Sequence, residues 1–368
     1  MAHFACTGVH LPFWSLWLAS IGVSAEWTGV LLALGHGVSM GTSPLAGRIA
    51  DRRGPRALMG PLAAVAVAGF ALFHRARGVP SLAVLTLLTF GAHGALLPLA
   101  ESISQRQAGA GRVRYGRVRL WGSLSFVAAS TLAGALVERS GEGVIPWMLA
   151  AGAAGCWIAS RGLPTDEPGE DVRPGATATA VAWGPLVRVL ALSSLVQASH
   201  AVYYGFGSLT WAAQGFGDTE IGALWALGVL AEVVFFAASP RFLSRTDPVS
   251  LVLAGAAFAT ARWVLLAHVR GGPGVSVLQT LHAVSFGATH LGTMEFVRRH
   301  VPASRLAAVQ GIYTAVAGAS YALVTPFAGA LFARYASGAY LGAAGLAAAS
   351  TLAGWALAPR ARHAAADA

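Results

Sequence analysis

The sequence predicts an all-α polytopic membrane protein, with twelve transmembrane helices in two six-helix bundles. Three observations predict it. The first is composition: of 368 residues, 55% are hydrophobic and 11% charged, against roughly 25% charged in soluble proteins. A soluble chain of this length cannot cover its surface with so few charges. The second is the recurrence of uncharged apolar runs, each long enough to cross a ~30 Å hydrocarbon core as a helix. The third is an internal repeat. Displaced by 193 residues, the chain matches itself at 12 of 40 ungapped positions. These include Phe13 with Phe206, Gly22 with Gly215, Gly29 with Gly222, Gly35 with Gly228, and Arg48 and Arg52 with Arg241 and Arg245. Shared apolar bias does not explain the coincident glycines and terminal arginines. Together the three exclude a disordered chain, a β-barrel and a secreted disulfide scaffold.

The apolar spans fall near 4–23, 28–49, 56–73, 80–101, 118–137 and 143–160, then 186–213, 220–239, 248–269, 274–297, 306–332 and 338–358. The stretch 1–25 has no basic n-region and no clear cleavage site, so it reads as a retained first helix. Spans one to six make an N-terminal bundle, 1–161. Residues 162–184 carry Asp166, Glu167, Glu170 and Asp171 among prolines and small residues, the composition of a polar linker. Spans seven to twelve make a C-terminal bundle, 185–368.

The formal charge of +10 comes from arginine alone; the chain has no lysine. The arginines lie between apolar spans rather than on one soluble face, which argues against nucleic acid as a partner. With both termini in the cytoplasm, 18 of the 25 arginines fall inside, 5 outside, and Arg188 and Arg262 within spans. That bias sets the orientation and predicts a multi-pass protein of the cell's inner (plasma) membrane. Cys6 and Cys156 both lie in apolar stretches and form neither a disulfide framework nor a metal site.

After span two the chain reads Gly47-Arg48-Ile49-Ala50-Asp51-Arg52-Arg53-Gly54-Pro55-Arg56. It resembles the major facilitator signature G-x-L-a-D-r-x-G-r-r, with Pro55 in place of a basic residue. Glycines suit a tight turn, and a carboxylate at a helix end can pair with arginines or with a neighbouring helix N-terminus. Gly47, Asp51, Arg52, Gly54 and Arg56 are therefore candidates for a cytoplasmic latch between bundles. The plainer reading is a loop that only sets topology. Parallel six-span repeats are themselves the plan of major facilitator transporters.

A sharper resemblance runs through nearly the whole chain. It rests on Leu11-Pro12-Phe13-Trp14-Ser15 in span one and Val118-Arg119-Leu120-Trp121-Gly122-Ser123 entering span five. It continues with Gln197-x-x-His200-x-x-Tyr203-Tyr204-Gly205-Phe206 in span seven and Leu224-Trp225-x-Leu227-Gly228-Val229-x-Ala231-Glu232-Val233 in span eight. Arg262-Trp263, Leu281-His282 and His290-Leu291 complete it. The chain resembles the 3-phenylpropionic acid transporter family of the major facilitator superfamily. The resemblance implies proton-coupled uptake of an aromatic carboxylate, and a distant likeness to the lactose permease type of sugar–proton symporter.

An ionisable group at mid-depth costs roughly 2.5–3.5 kcal/mol on insertion scales and is a functional candidate by default. From a rise of about 1.5 Å per residue, Glu232, Arg262, His200 and His282 all fall in the middle zone of the bilayer. A carboxylate, a guanidinium and imidazoles at one depth suit proton coupling. The alternative is a static buried pair, with histidines hydrogen-bonded to neighbouring helices. Gln197, His200 and Tyr204 are spaced i, i+3, i+7 and share a helix face, with Gln197 and Tyr204 candidates to bind substrate. His290, nearer the cytoplasm, reads as structural, and its spacing from His282 does not suit a metal pair.

In the N-terminal half, Glu101 ends span four and Arg119 opens span five, so topology brings them together. They are an interfacial ion pair or, by the sugar-symporter likeness, a pair that orients substrate; Arg119 could hold a carboxylate bidentately. Trp14, Trp121, Tyr203, Tyr204 and Trp225 could form stacking walls, although single aromatics in spans commonly serve packing or interface anchoring.

No ATP-binding, nucleophile-elbow or zinc-protease motif is present, so no enzyme activity and no cofactor is expected. The proton gradient is the expected energy source. The expected partners are protons, a small-molecule substrate and the lipid bilayer, with the chain a monomer. The leading expectation is symport of a small organic, aromatic acid by alternating access. The alternatives are a sugar, nucleoside or drug transporter of the same fold, or a transport-dead receptor or scaffold.

Overall fold

A computed structural model describes residues 1–163, 181–302 and 305–366. The acidic residues expected in the linker, Asp166, Glu167, Glu170 and Asp171, lie outside the described residues. Among those described there is no β-strand. The first half holds α1 (Ala2–Ser20), α2 (Ala25–Arg53), α3 (Pro55–Phe73), α4 (Gly78–Gly109), α5 (Tyr115–Ser140) and α6 (Ile145–Arg161). The second half starts with α7 (Trp183–Ser199), which runs on as α8 (Ala201–Ala213), then α9 (Asp218–Ala238) and the short α10 (Pro240–Leu243). It continues with α11 (Pro248–His268), α12 (Gly272–Thr280), a π-helical turn Ala283–Ala288, α13 (Thr289–His300), α14 (Leu306–Tyr335) and α15 (Ala339–Ala366).

The chain is thus an all-α, multi-pass membrane protein of the expected architecture. Eight helical stretches among the described residues are long and apolar enough to cross a bilayer, one of them running through both α14 and α15. The more polar α1, α2 and the broken rod α12–α13 complete the twelve expected spans. Helix ends follow local chemistry. The Ser24 hydroxyl accepts from the Trp27 amide at 3.4 Å, and the Asp247 carboxylate accepts from the Ser250 amide at 2.9 Å ahead of Pro248, both N-cap arrangements. Gly54 turns α2 into α3 at φ 79, a conformation costly for any side chain. Pro55 then starts α3 where a missing N–H costs nothing.

Contacts divide the chain into two units: Met1–Val172 with Gly207–Ala226, and Arg173–Phe206 with Leu227–Ala368. Within the first, α1 packs on α5 and α6, and α3 on α4 and α6. Within the second, α7 packs on α14 and α15, and α11 on α13 and α15. Counted by span, these are the same pairs: one with five and six, three with four and six. The repeat in the sequence is therefore a repeat of helix pairing. A close approach recurs with it. A Cβ at Gly69 would strike Thr89, and one at Gly255 would strike Thr289, the same span pair in each half. Only glycine lets the two backbones come that near.

The first unit's core joins Ala46, Met59, Ala63, Leu96, Leu99 and Cys156. The second unit's joins Leu186, Val189, Val252, Phe296, Val309 and Tyr313. The Gly207–Ala226 segment belongs to the first unit because small residues admit it to α5. A Cβ at Gly134 would meet the backbone of Asp218, and one at Gly222 the backbone of Ser130. The Glu138 carboxylate accepts from the Thr219 amide at 3.0 Å.

Candidate functional site: a buried arginine, histidine and glutamate

Arg262 on α11 is 0% exposed. A guanidinium stripped of water must find acceptors, and three segments supply them. Its Nε donates to the Leu278 carbonyl at 2.8 Å, and Nη2 to Gln279 Oε1 at 3.3 Å. Its Nη1 lies 3.3 Å from His282 Nδ1 and donates to Ser285 Oγ at 3.4 Å. The cation also lies over two ring faces, 4.4 Å from the Tyr203 centroid and 4.7 Å from that of Trp263, where ring quadrupoles offset lost hydration.

His282 stands between this cation and Glu232. Its Nε2 is 3.7 Å from Glu232 Oε2, and the carboxylate side chain is 22% exposed. The chemistry fixes the imidazole tautomer. Arginine can only donate, so Nδ1 must accept. The ring proton of neutral His282 then sits on Nε2 and faces the carboxylate. The π turn begins at the next residue, Ala283. Its extra residue per turn puts Ser285 on the same side of the rod as Arg262, a local widening often found at functional sites.

Span seven completes the centre. α7 ends at Ser199 and α8 begins at Ala201, leaving His200 at the junction. His200 Nδ1 contacts the Val196 carbonyl at 2.9 Å, and its ring lies 5.6 Å from His282 and 5.5 Å from Tyr204. The Tyr203 hydroxyl donates to Gln279 Oε1 at 2.7 Å. Trp263 is anchored by its Nε1 donating to Ser199 Oγ at 2.9 Å. Gln197 lies lower on α7 and donates to the Tyr313 hydroxyl at 3.4 Å. His290 continues the line of rings, 5.9 Å from Phe286 and parallel to it.

Glu232, Arg262, His200, His282, Tyr203 and Tyr204 are therefore one connected cluster within the second unit. The sequence did not single out Gln279, Ser285 or the π turn. Gln279 is a polar residue inside an apolar span, a signal that was there to be found; a π turn leaves no such mark.

The remaining candidates lie elsewhere. Arg119 Nη1 donates to Glu101 Oε1 at 2.7 Å, the Tyr115 hydroxyl donates to Glu101 Oε2 at 2.6 Å, and Arg119 stands 5.1 Å from the Phe4 ring. Trp14 is buried among aromatics of the first unit, 4.6 Å from Trp17 and 4.9 Å from Phe73. Trp121 is exposed on α5. Trp225 is buried, and its Nε1 donates to Ser208 Oγ at 2.8 Å. Gly47, Asp51 and Arg52 lie within the last two turns of α2 rather than in a loop, with Asp51 and Arg52 exposed and Gly47 half-buried; Gly54 alone separates α2 from α3. Arg56 Nη2 donates to the Arg161 carbonyl at 2.7 Å, tying the start of α3 to the end of α6. Among the described residues no group of His, Cys, Asp and Glu could hold a metal ion.

Residues 1–341 match the model of the MFS_1 like family. The chain is 34% identical over 339 residues to a probable 3-phenylpropionic acid transporter of Escherichia coli (strain K12), covering 90% of this chain and 88% of that protein. It is 29% identical over 328 residues to a maltose permease of Geobacillus stearothermophilus, covering 85% and 80%. Among solved structures, the nucleoside transporter NupG aligns with a TM-score of 0.82 at 16% identity, covering 97% of this chain and 96% of that one.

Proposed function

The chain belongs to the MFS_1 like family and is a transporter of the major facilitator fold; on that premise we propose that it is a proton-coupled symporter of a small aromatic carboxylic acid. The observation that carries the coupling is His282 standing between Arg262 and Glu232. Arg262 holds the imidazole by one nitrogen and leaves the N–H edge toward the carboxylate. A proton arriving on Glu232 removes the charge His282 faces, and one leaving restores it. The arginine stays charged throughout. Movement of the π-turned rod against α9 changes the Glu232–His282 contact, and so links proton occupancy to conformation.

The substrate class is supported by the E. coli relative, a probable 3-phenylpropionic acid transporter, and by the half-buried Tyr204 ring beside His200 and His282. The maltose permease relative supports sugar as a second reading. In this proposal both termini face the cytoplasm, the membrane is the plasma membrane and the gradient of protons drives uptake. A maleimide reaching Ala110→Cys, between α4 and α5, only from the cytoplasmic side is the expected outcome; Cys6 and Cys156 are buried and do not compete.

The deciding experiment is uptake by proteoliposomes with an imposed pH gradient, inside alkaline. Labelled 3-phenylpropionate should accumulate and protons should enter with it. Accumulation of maltose instead would replace the acid with a sugar, and accumulation indifferent to the gradient would remove proton coupling.

A further inference from the structure

The first unit holds a second group of imidazoles. His3 and His10 lie two turns apart on one face of α1; His93 on α4 meets His3, and Phe90, one turn earlier on α4, meets His10. The His3 and His93 rings stack at 4.4 Å with an interplanar angle of 16°. His10 lies 4.8 Å from Phe90 and 5.7 Å from Trp14. His93 is 7% exposed, and its ring is 5.6 Å from Phe70. Among the described residues, His3 Nδ1, His10 Nε2 and His93 Nδ1 are buried nitrogens with no hydrogen-bond partner. Leaving one such group unmatched costs about 1–3 kcal/mol. Three in one cluster, within an apolar bundle, mark a place built for a polar ligand.

The ligand's chemistry follows from the donors. Stacked imidazoles do not converge their lone pairs on one point, so they do not make a metal site. Each ring can present an N–H, and none of the three side chains carries a negative charge. Arg119 stands 5.1 Å from the Phe4 ring of α1 but is already engaged by Glu101 at 2.7 Å. Phe90, half-buried beside His10, offers an aromatic ring for the body of the same ligand.

We propose that His3, His10 and His93 form an organic-carboxylate site in the first unit. The stacked His3–His93 pair takes the carboxylate, and the aryl or alkyl body lies toward His10 and Phe90. This deepens the reading above and rests on it, because it assumes that the transported solute is an organic acid. It assigns recognition of the acid to histidines of the first unit and leaves proton coupling to the second.

The test is equilibrium binding of 3-phenylpropionate to the purified full-length chain in detergent, with thermal unfolding measured alongside. His93→Phe keeps the ring packing and removes the nitrogens. It should weaken binding at least about ten-fold, the scale of one hydrogen bond to a charged group, without lowering the unfolding temperature. His93→Asn, whose amide can replace Nδ1, should recover part of the affinity. Should His93→Phe fail to fold, His3→Phe at the half-buried end makes the same comparison. Binding by His93→Phe or His3→Phe at the wild-type affinity overturns the site and leaves the transport reading intact. Failure of the wild-type chain to bind 3-phenylpropionate, benzoate or cinnamate overturns the organic-acid reading and the site together.

Discussion

Arg262 grips His282 by the nitrogen that faces away from Glu232: Nη1 is 3.3 Å from Nδ1, while Nε2 is 3.7 Å from the carboxylate. The imidazole is thereby both oriented and held in one tautomer. A static ion pair would need no ring between its charges. The ring interposed here is itself titratable, so two groups that can exchange protons, Glu232 and His282, stand beside a cation that stays charged.

Glu232→Gln imitates the protonated carboxyl and removes its titration. Accumulation of substrate driven by the pH gradient should vanish while exchange of substrate across the membrane continues, because exchange requires no net proton release. Both are measured on the same reconstituted variant. Full accumulation by Glu232→Gln would move the coupling to His200 or His282.

Arg262→Met strips the Leu278 carbonyl, Gln279 and Ser285 of their donor within a buried site. Stability should fall by about 3 kcal/mol or more, read as a lower unfolding temperature in detergent. Arg262→Lys keeps the charge but not the planar fork, and should fall between Met and wild type. Equal stability of all three would mean that the guanidinium contacts contribute nothing.

Asp51→Asn should slow turnover more than it weakens substrate binding, since the latch expected of Asp51 at the end of α2 acts in the conformational step. Asp51 is exposed, so the fold should tolerate the change. Transport at the normal rate would reduce this segment to a topology signal.

Gly134→Leu drives a side chain into the backbone of Asp218. The Gly207–Ala226 segment should move off α5. A short bifunctional reagent that joins cysteines placed at Glu138 and Thr219 in the parent background should then join them at least about ten-fold more slowly, as expected when about 1.4 kcal/mol or more disfavours the packed state. Undiminished cross-linking would show that the segment packs without the glycine.

Much of the architecture was legible in the sequence, because a membrane protein must satisfy its backbone within each helix and spans therefore announce themselves as apolar runs. The arginine bias, the 193-residue repeat and the mid-depth Glu232, Arg262, His200 and His282 were legible for the same reason: each departs from what hydrocarbon tolerates. Depth along a helix can be counted from the chain, but direction around it cannot be fixed without knowing the neighbours. Tertiary packing therefore decided that His282 lies between Arg262 and Glu232, and that Gln279 and Ser285 join them. It also decided that Trp14 is surrounded by Trp17, Phe70 and Phe73. The π turn at Ala283–Ala288 shifts the angular register beyond it, and the approach of α11 to α13 at Gly255 and Thr289 sets which faces meet. Sequence supplied the charges and their depth; only helix rotation and contact could determine which of them touch.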